Sequence, residues 1–314
     1  MQIIVQLLLL LLGFVLLIKG ADKFVEGSSK IADKFHIPQL VIGLTIVAFG
    51  TSAPEAAVSI TAALNKNADI AISNVVGSNI FNILIIIGIT SIILPLTIQK
   101  STLRFELPYV IITTLVLLLL GLDGTLSFVD GVILWVMFII FFIYLIKLSK
   151  SGQAQADEVA EASEKDKMPI LLLLTVLGMA AIIIGSNITV DSATKLAEIF
   201  GMSPRFIGLT IVAFGTSLPE LITSITAAKR GKDDIAVGNI VGSNLFNILF
   251  VLATTSLITP VPFAKSFIID TIVAIAAAVI LLVCVFRDRK VGKKGGIIMI
   301  ICYVAYFGYL VFLK

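Results

Sequence analysis

One stretch occurs twice in this chain, and each copy is apolar enough to lie in a membrane while carrying a carboxylate. Residues 42–87 read IGLTIVAFGTSAPEAAVSITAALNKNADIAISNVVGSNIFNILIII, and residues 207–252 read IGLTIVAFGTSLPELITSITAAKRGKDDIAVGNIVGSNLFNILFVL. Aligning Glu55 with Glu220 lays one copy over the other without a gap. About two-thirds of the positions are identical, which marks an internal duplication. The identities include Thr51, Ser52, Pro54, Glu55, Asn74, Ser78, Asn79 and Asn82, matched by Thr216, Ser217, Pro219, Glu220, Asn239, Ser243, Asn244 and Asn247. Carboxylate, hydroxyl and amide oxygens at lipid depth are costly, and such groups mark functional sites.

The rest of the chain supports a membrane reading. Of its 314 residues 58% are hydrophobic and only 14% charged, whereas a soluble domain has roughly one-quarter charged residues. Stretches long enough to span, at about 20 residues each, fall at 3–19, 38–63, 70–95, 107–122 and 127–148. They recur at 168–190, 204–228, 235–258, 267–286 and 295–313. The expectation is an all-α polytopic protein of ten transmembrane helices, built as two inverted five-helix repeats with discontinuous core helices. The first half, 1–149, carries its repeat at about 38–95. A polar linker covers 150–167, and the second half, 168–314, carries its repeat at about 204–258. Segments 20–35 and 185–200 are more polar and extend the first and sixth helices.

Five helices per half insert the halves in opposite senses. Lys23, Lys30, Lys34, Lys100, Arg104, Lys147, Lys150, Lys229, Arg230, Lys232 and the basic run from Arg287 to Lys294 then share one side. That side is expected to be cytoplasmic, with the linker, and both termini extracellular in a multi-pass cell-membrane protein. The N-terminal apolar run lacks a basic leader and reads as a helix rather than a cleavable signal.

Within each repeat the proline breaks a helix, because it has no N–H and its ring clashes with the carbonyl four residues back. Irregular backbone at membrane depth has to pack in protein or line a cavity. The break at Pro54 is expected to free carbonyls around Ala48 to Thr51, and that at Pro219 those around Ala213 to Thr216. Ser78 and Asn82 lie four apart, on one helix face. Folding the two copies together gathers two carboxylates, several amides and several hydroxyls into an oxygen-only cage. Oxygen donors suit Ca²⁺ and Na⁺; softer metals want His or Cys, and the repeats have neither. Zinc chemistry lacks ligands, since His36 is the lone histidine and Cys284 and Cys302 read as free thiols in apolar segments.

Other polar residues have plainer readings. Ser59, Thr61, Ser224 and Thr226 read as glue between membrane helices, Asp69 and Asp234 as N-caps, and Glu106 and Asp270 as caps or dipole partners. Glu55 and Glu220 resist such a reading, because no Lys or Arg in either repeat lies near to neutralise them.

With GTSAPE and GSNIFN repeated as GTSLPE and GSNLFN, the sequence resembles the sodium/calcium exchanger family of the cation/Ca²⁺ antiporter superfamily, in a minimal prokaryotic form. The resemblance implies that Glu55 and Glu220 are carboxylates shared by Ca²⁺ and Na⁺. It implies that Thr51 and Thr216 contribute to the Ca²⁺ site through backbone oxygen. The Ala48 and Ala213 carbonyls with Ser52, Ser78, Ser217 and Ser243 would bound flanking Na⁺ sites, and Asn82 and Asn247 would complete the central layer. Some members, including potassium-dependent ones, carry Asp where this chain has Asn247, so the cage holds two formal negatives and K⁺-independent transport is the expectation. The long regulatory loop of animal exchangers has no counterpart between the halves. The function implied is antiport of Ca²⁺ for Na⁺ by alternating access, with a Ca²⁺/H⁺ antiporter as the alternative and a passive cation channel third. No enzyme activity, cofactor or nucleic-acid partner is expected. The transported ions and the lipid bilayer are the partners, and the unit is expected to be a monomer.

Overall fold

The computed structural model describes residues 2–156, 167–201 and 213–312. In lipid the backbone satisfies its own donors and acceptors, and the apolar stretches accordingly fold as helices. In chain order these are α1 (Gln2–Lys34), α2 (Gln39–Thr51), α3 (Ala53–Leu64), α4 (Ala68–Ile93), α5 (Thr102–Asp123) and α6 (Phe128–Ala156). The second half supplies α7 (Met168–Ile199), α8 (Ala213–Thr216), α9 (Leu218–Lys229), α10 (Asp233–Ile258), α11 (Lys265–Phe286) and α12 (Lys293–Phe312). Among the described residues eight helices are long and apolar enough to cross a membrane. The pair α2 and α3, bent by 51° at their junction, makes a ninth if counted as one broken span. The remaining expected span, 204–228, begins outside the described residues; α8 and α9 are its described part.

Two helices form the centre of this all-α membrane fold. The spanning window of α10 is 94% buried inside the protein and that of α4 78%, against 17% for α1 and 11% for α12. Ile72, Val75 and Ile80 of α4 and Ile240, Leu245 and Leu249 of α10 belong to one continuous apolar core. The polar repeat residues on α4 and α10 are therefore held away from lipid. Helix α2 lies against α10 at a crossing where a Cβ on Gly238 would come within 3.0 Å of the Leu40 carbonyl and of Gly43 Cα.

Helices α1 and α7 pack along one another. A Cβ on Gly20 would sit 2.9 Å from the Gly178 carbonyl, and one on Gly178 would sit 2.8 Å from the Gly20 carbonyl. Small residues let membrane helices approach this closely.

Two short antiparallel ribbons tie the halves together. Strand β1 (Leu96–Thr97) pairs with β4 (Lys290–Val291), and β2 (Thr125–Leu126) with β3 (Val261–Pro262). The alignment that takes Glu55 to Glu220 also takes β1 to β3 and β2 to β4, so each ribbon maps onto the other. The acidic pair beneath β1 corrects one expectation. The N-cap positions fall at Asn67 and Lys232, with no side-chain cap, because both helices start within one residue of the aspartates. Asp233 instead accepts the Thr97 N–H at 2.9 Å and Asp234 accepts Gln99 Nε2 at 2.6 Å, pinning the loop after β1. Glu106 and Asp270 are also not caps. Both are buried, and each accepts a tyrosine hydroxyl: Tyr144 to Glu106 at 2.5 Å and Tyr306 to Asp270 at 3.1 Å.

Candidate ion-binding site

The break in each repeat places its carboxylate. Ser52 leaves helical geometry (φ −84°, ψ 6°) between α2 and α3, and Ser217 does the same (φ −93°, ψ 6°) between α8 and α9. Each proline then occupies the first turn of the following helix, where a missing N–H costs nothing. Pro54 leaves the Gly50 carbonyl without its helical donor, and Pro219 does so at Gly215. The second of these is recaptured: Ser186 of α7 donates its hydroxyl to the Gly215 carbonyl at 3.0 Å. The Ala48 carbonyl, expected to be freed, accepts the Ser52 N–H at 3.0 Å, with the Thr51 hydroxyl oxygen 3.3 Å away. The Pro54 ring acts four residues back and so reaches Gly50.

Glu55 and Glu220 start α3 and α9 and are buried. Their bonds cross between the halves. Ser52 Oγ donates to Glu220 Oε1 at 2.8 Å, and Ser217 Oγ to Glu55 Oε1 at 3.5 Å. Among the described residues the second oxygen of each carboxylate, Oε2, is buried without a hydrogen-bond partner. Among the described residues the ion pairs cluster around Asp22, Lys23, Glu26, Lys30 and Arg230, and none reaches Glu55 or Glu220. A buried carboxylate without a counter-charge is strongly unfavourable.

Asn82 and Asn247 complete the centre. Each opens a wider, π-type turn, Asn82–Ile87 in α4 and Asn247–Leu252 in α10, a distortion common at functional sites. The Asn247 turn packs on α3, which bears Glu55, and the Asn82 turn packs on α9, which bears Glu220. Both asparagines are buried, and among the described residues the Oδ1 of each lacks a donor. Among the described residues two carboxylate oxygens and two amide oxygens are thus buried acceptors with nothing to accept from. Acceptors without donors are what a desolvated cation requires. Among the described residues no three His, Cys, Asp or Glu groups gather to hold a metal. Any cation here would be held by two carboxylates with neutral oxygens.

The other expected residues lie around this centre. Ser52, Ser217, Ser78 and Ser243 are buried and Thr216 is half-buried. The Thr51 hydroxyl donates to Asn239 Oδ1 at 3.0 Å. For Ala213 only the backbone lies within the described residues.

Four further residues frame the site. Asn239 Nδ2 donates to the Glu220 carbonyl at 3.4 Å and to Ser224 Oγ at 3.0 Å. Asn74 Nδ2 does the same to the Glu55 carbonyl at 3.2 Å and to Ser59 Oγ at 3.0 Å. Asn79 and Asn244 bond each other's backbone carbonyls across the halves at 3.1 and 3.2 Å. All four asparagines are identical between the copies, which is the signal that points to them. Ser59 and Ser224, read as glue, do serve that purpose.

Known proteins resemble this chain in sequence and in fold. The family model described as sodium/calcium exchanger protein matches residues 5–147 and 170–312. The inner membrane protein YrbG of Escherichia coli is 35% identical over 98% of this chain and 97% of its own length. The sodium/calcium exchanger MaX1 of Methanosarcina acetivorans is 32% identical over 97% and 98% respectively. A solved structure of the sodium-calcium exchanger NCX_Mj, soaked with Na⁺ and Sr²⁺, superposes with a TM-score of 0.85 at 33% identity, covering 99% of this chain and all of that one. This chain belongs to the sodium/calcium exchanger family, a family of multi-pass membrane exchangers.

Proposed function

We propose that this protein is a secondary antiporter that exchanges Ca²⁺ for Na⁺ by alternating access, independently of K⁺. The observation that carries the proposal is the pair of buried carboxylates, Glu55 and Glu220, whose Oε2 atoms lack partners beside the unpartnered Oδ1 atoms of Asn82 and Asn247. Two carboxylates neutralise one Ca²⁺, and the same oxygens accept Na⁺ when it replaces Ca²⁺. Asparagine at both 82 and 247 leaves two formal negatives in the cage, which supports a cycle without a third cation type. The relatives named as sodium/calcium exchangers support Na⁺ as the counter-ion.

The metal-binding set is Glu55, Glu220, Asn82 and Asn247 at the centre. Ser52, Ser217, Ser78, Ser243, the backbone of Thr51 and Thr216, and the Ala48 and Ala213 carbonyls surround it. The Thr51 hydroxyl is spent on Asn239, which supports a backbone role for that residue.

The architecture we propose is ten helices in two inverted five-helix halves, 1–149 and 168–314, joined by a cytoplasmic linker, with both termini extracellular and one chain forming the unit. The paired ribbons and reciprocal asparagine bonds support the two-fold relation. Helices α4 and α10, with the broken helices between them, form a fixed ion-binding body. Helices α1 and α7 slide past it as one gate. They are packed closely on each other and mostly outside the core. An empty cage holding two bare carboxylates is costly, so the switch requires an ion load of either kind. That requirement makes the transport an exchange.

The test is ⁴⁵Ca²⁺ uptake into proteoliposomes under separate outward Na⁺, H⁺ and K⁺ gradients. Uptake driven by Na⁺ alone is expected. Uptake driven by a pH gradient replaces Na⁺ by H⁺, and uptake indifferent to every counter-ion gradient makes the protein a passive channel.

A further inference from the structure

Each central asparagine oxygen is aimed by a chain of hydrogen bonds that begins at a backbone carbonyl. The Asn244 carbonyl can only accept, so its 3.1 Å contact fixes the Asn79 amide with Nδ2 towards it. Asn79 Oδ1 then faces Asn247 and accepts from Asn247 Nδ2 at 3.2 Å. Asn247 is held with Oδ1 on the opposite side of its amide, where no donor meets it. The second chain runs in mirror sense. The Asn79 carbonyl accepts Asn244 Nδ2 at 3.2 Å, Asn244 Oδ1 accepts Asn82 Nδ2 at 3.0 Å, and Asn82 Oδ1 is left without a donor. All four side chains are buried.

The orientation matters because an amide is nearly symmetric in shape and opposite in chemistry. A half-turn about its last bond replaces oxygen lone pairs by two N–H groups. One orientation binds a cation and the other repels it.

We infer that Asn79 and Asn244 are positioning residues for the cation site, each locking the amide of the central asparagine of the other half: Asn79 for Asn247, and Asn244 for Asn82. The inference rests on the cage being the Ca²⁺ site. The amide oxygen and nitrogen of each are already engaged with the other half, which sets Asn79 and Asn244 apart from Asn82 and Asn247, whose oxygens are unpartnered.

The crossed pairing supplies a test that a packing role fails. Aspartate at 247 has two equivalent oxygens and no N–H, so it needs no orienting. Asn79→Ala is expected to weaken Ca²⁺ binding on the order of tenfold in the otherwise native chain. In an Asn247→Asp background the same change is expected to cost less than about twofold, because the coupled partner is gone. In an Asn82→Asp background the full loss is expected to remain. Asn244→Ala should reverse the pattern, relieved by Asn82→Asp and not by Asn247→Asp, and that series serves if Asn79→Ala does not fold. Affinity is read on the purified full chain by Ca²⁺ titration calorimetry and by the Ca²⁺-dependent rise in Tm, which also reports variants that no longer transport. Equal losses in all three backgrounds overturn the inference, and leave the ion site standing provided that Glu55→Gln abolishes binding. Ca²⁺ binding absent from the native chain, or unchanged by Glu55→Gln, removes the underlying site and the inference with it.

Discussion

Ser52 Oγ donates to Glu220 Oε1 at 2.8 Å across the two halves, whereas its counterpart Ser217 reaches Glu55 only at 3.5 Å. The two carboxylates are therefore held unequally. A hydrogen bond to a charged group is worth about 1.5–3 kcal/mol, and 3.5 Å is at the limit of a real bond. Ser52→Ala is expected to raise the Ca²⁺ concentration for half-maximal transport roughly tenfold or more. Ser217→Ala is expected to raise it less, and equal effects would show that the difference in distance has no energetic meaning.

Glu55→Gln removes a charge, while Asn82→Ala removes one neutral oxygen. The first is expected to abolish Ca²⁺ transport and the second to weaken it. The check is initial ⁴⁵Ca²⁺ uptake by each variant at matched protein content, with Tm confirming that both are folded.

Gly20 and Gly178 leave no room for a side chain, since a Cβ on either meets the other's backbone carbonyl within 3 Å. Backbone cannot yield as a side-chain tip does, so Gly178→Ala is expected to destabilise by about 1–3 kcal/mol. Gly308→Ala, where a Cβ meets nothing within 4 Å among the described residues, is expected to leave Tm unchanged. Thermal unfolding in detergent compares the two.

Arg230, following α9, contacts Asp22 of α1 through Nε at 2.8 Å and Nη2 at 2.5 Å, with Glu26 at 3.6 Å. This contact ties the proposed gate to the core in the conformation described. The side chains of Arg230 and Asp22 are 33% and 38% exposed, so the pair is worth at most about 1 kcal/mol. Asp22→Asn and Arg230→Gln are expected to shift the exchange rate by a few-fold, non-additively, with a smaller shift at high salt. Additive effects that ignore salt would separate this contact from gating.

The positions of the helices and of the central carboxylates were legible because lipid imposes simple rules. A span needs continuous apolar length, a proline breaks it, and a carboxylate inside it needs a reason. Duplication then pointed twice to the same residues, Asn74 and Asn239 among them. What sequence left open depends on contacts between distant residues. Asp234 looks like a helix cap until the loop after β1 is seen to hang from it and from its neighbour Asp233. Ser186 carries no signal, because Ala21 stands at the corresponding place in the first half and cannot donate to Gly50. The Glu106–Tyr144 and Asp270–Tyr306 pairs join helices whose relative rotation is not written in their hydrophobicity.

The most direct test of one cage serving both ions is equilibrium Ca²⁺ binding to the purified protein, titrated with Na⁺ and repeated in Glu55→Gln and Glu220→Gln. Competitive displacement by more than one Na⁺, with Ca²⁺ binding lost in both variants, is the expected result. Ca²⁺ binding that persists in either variant, or that Na⁺ leaves untouched, would contradict a shared site.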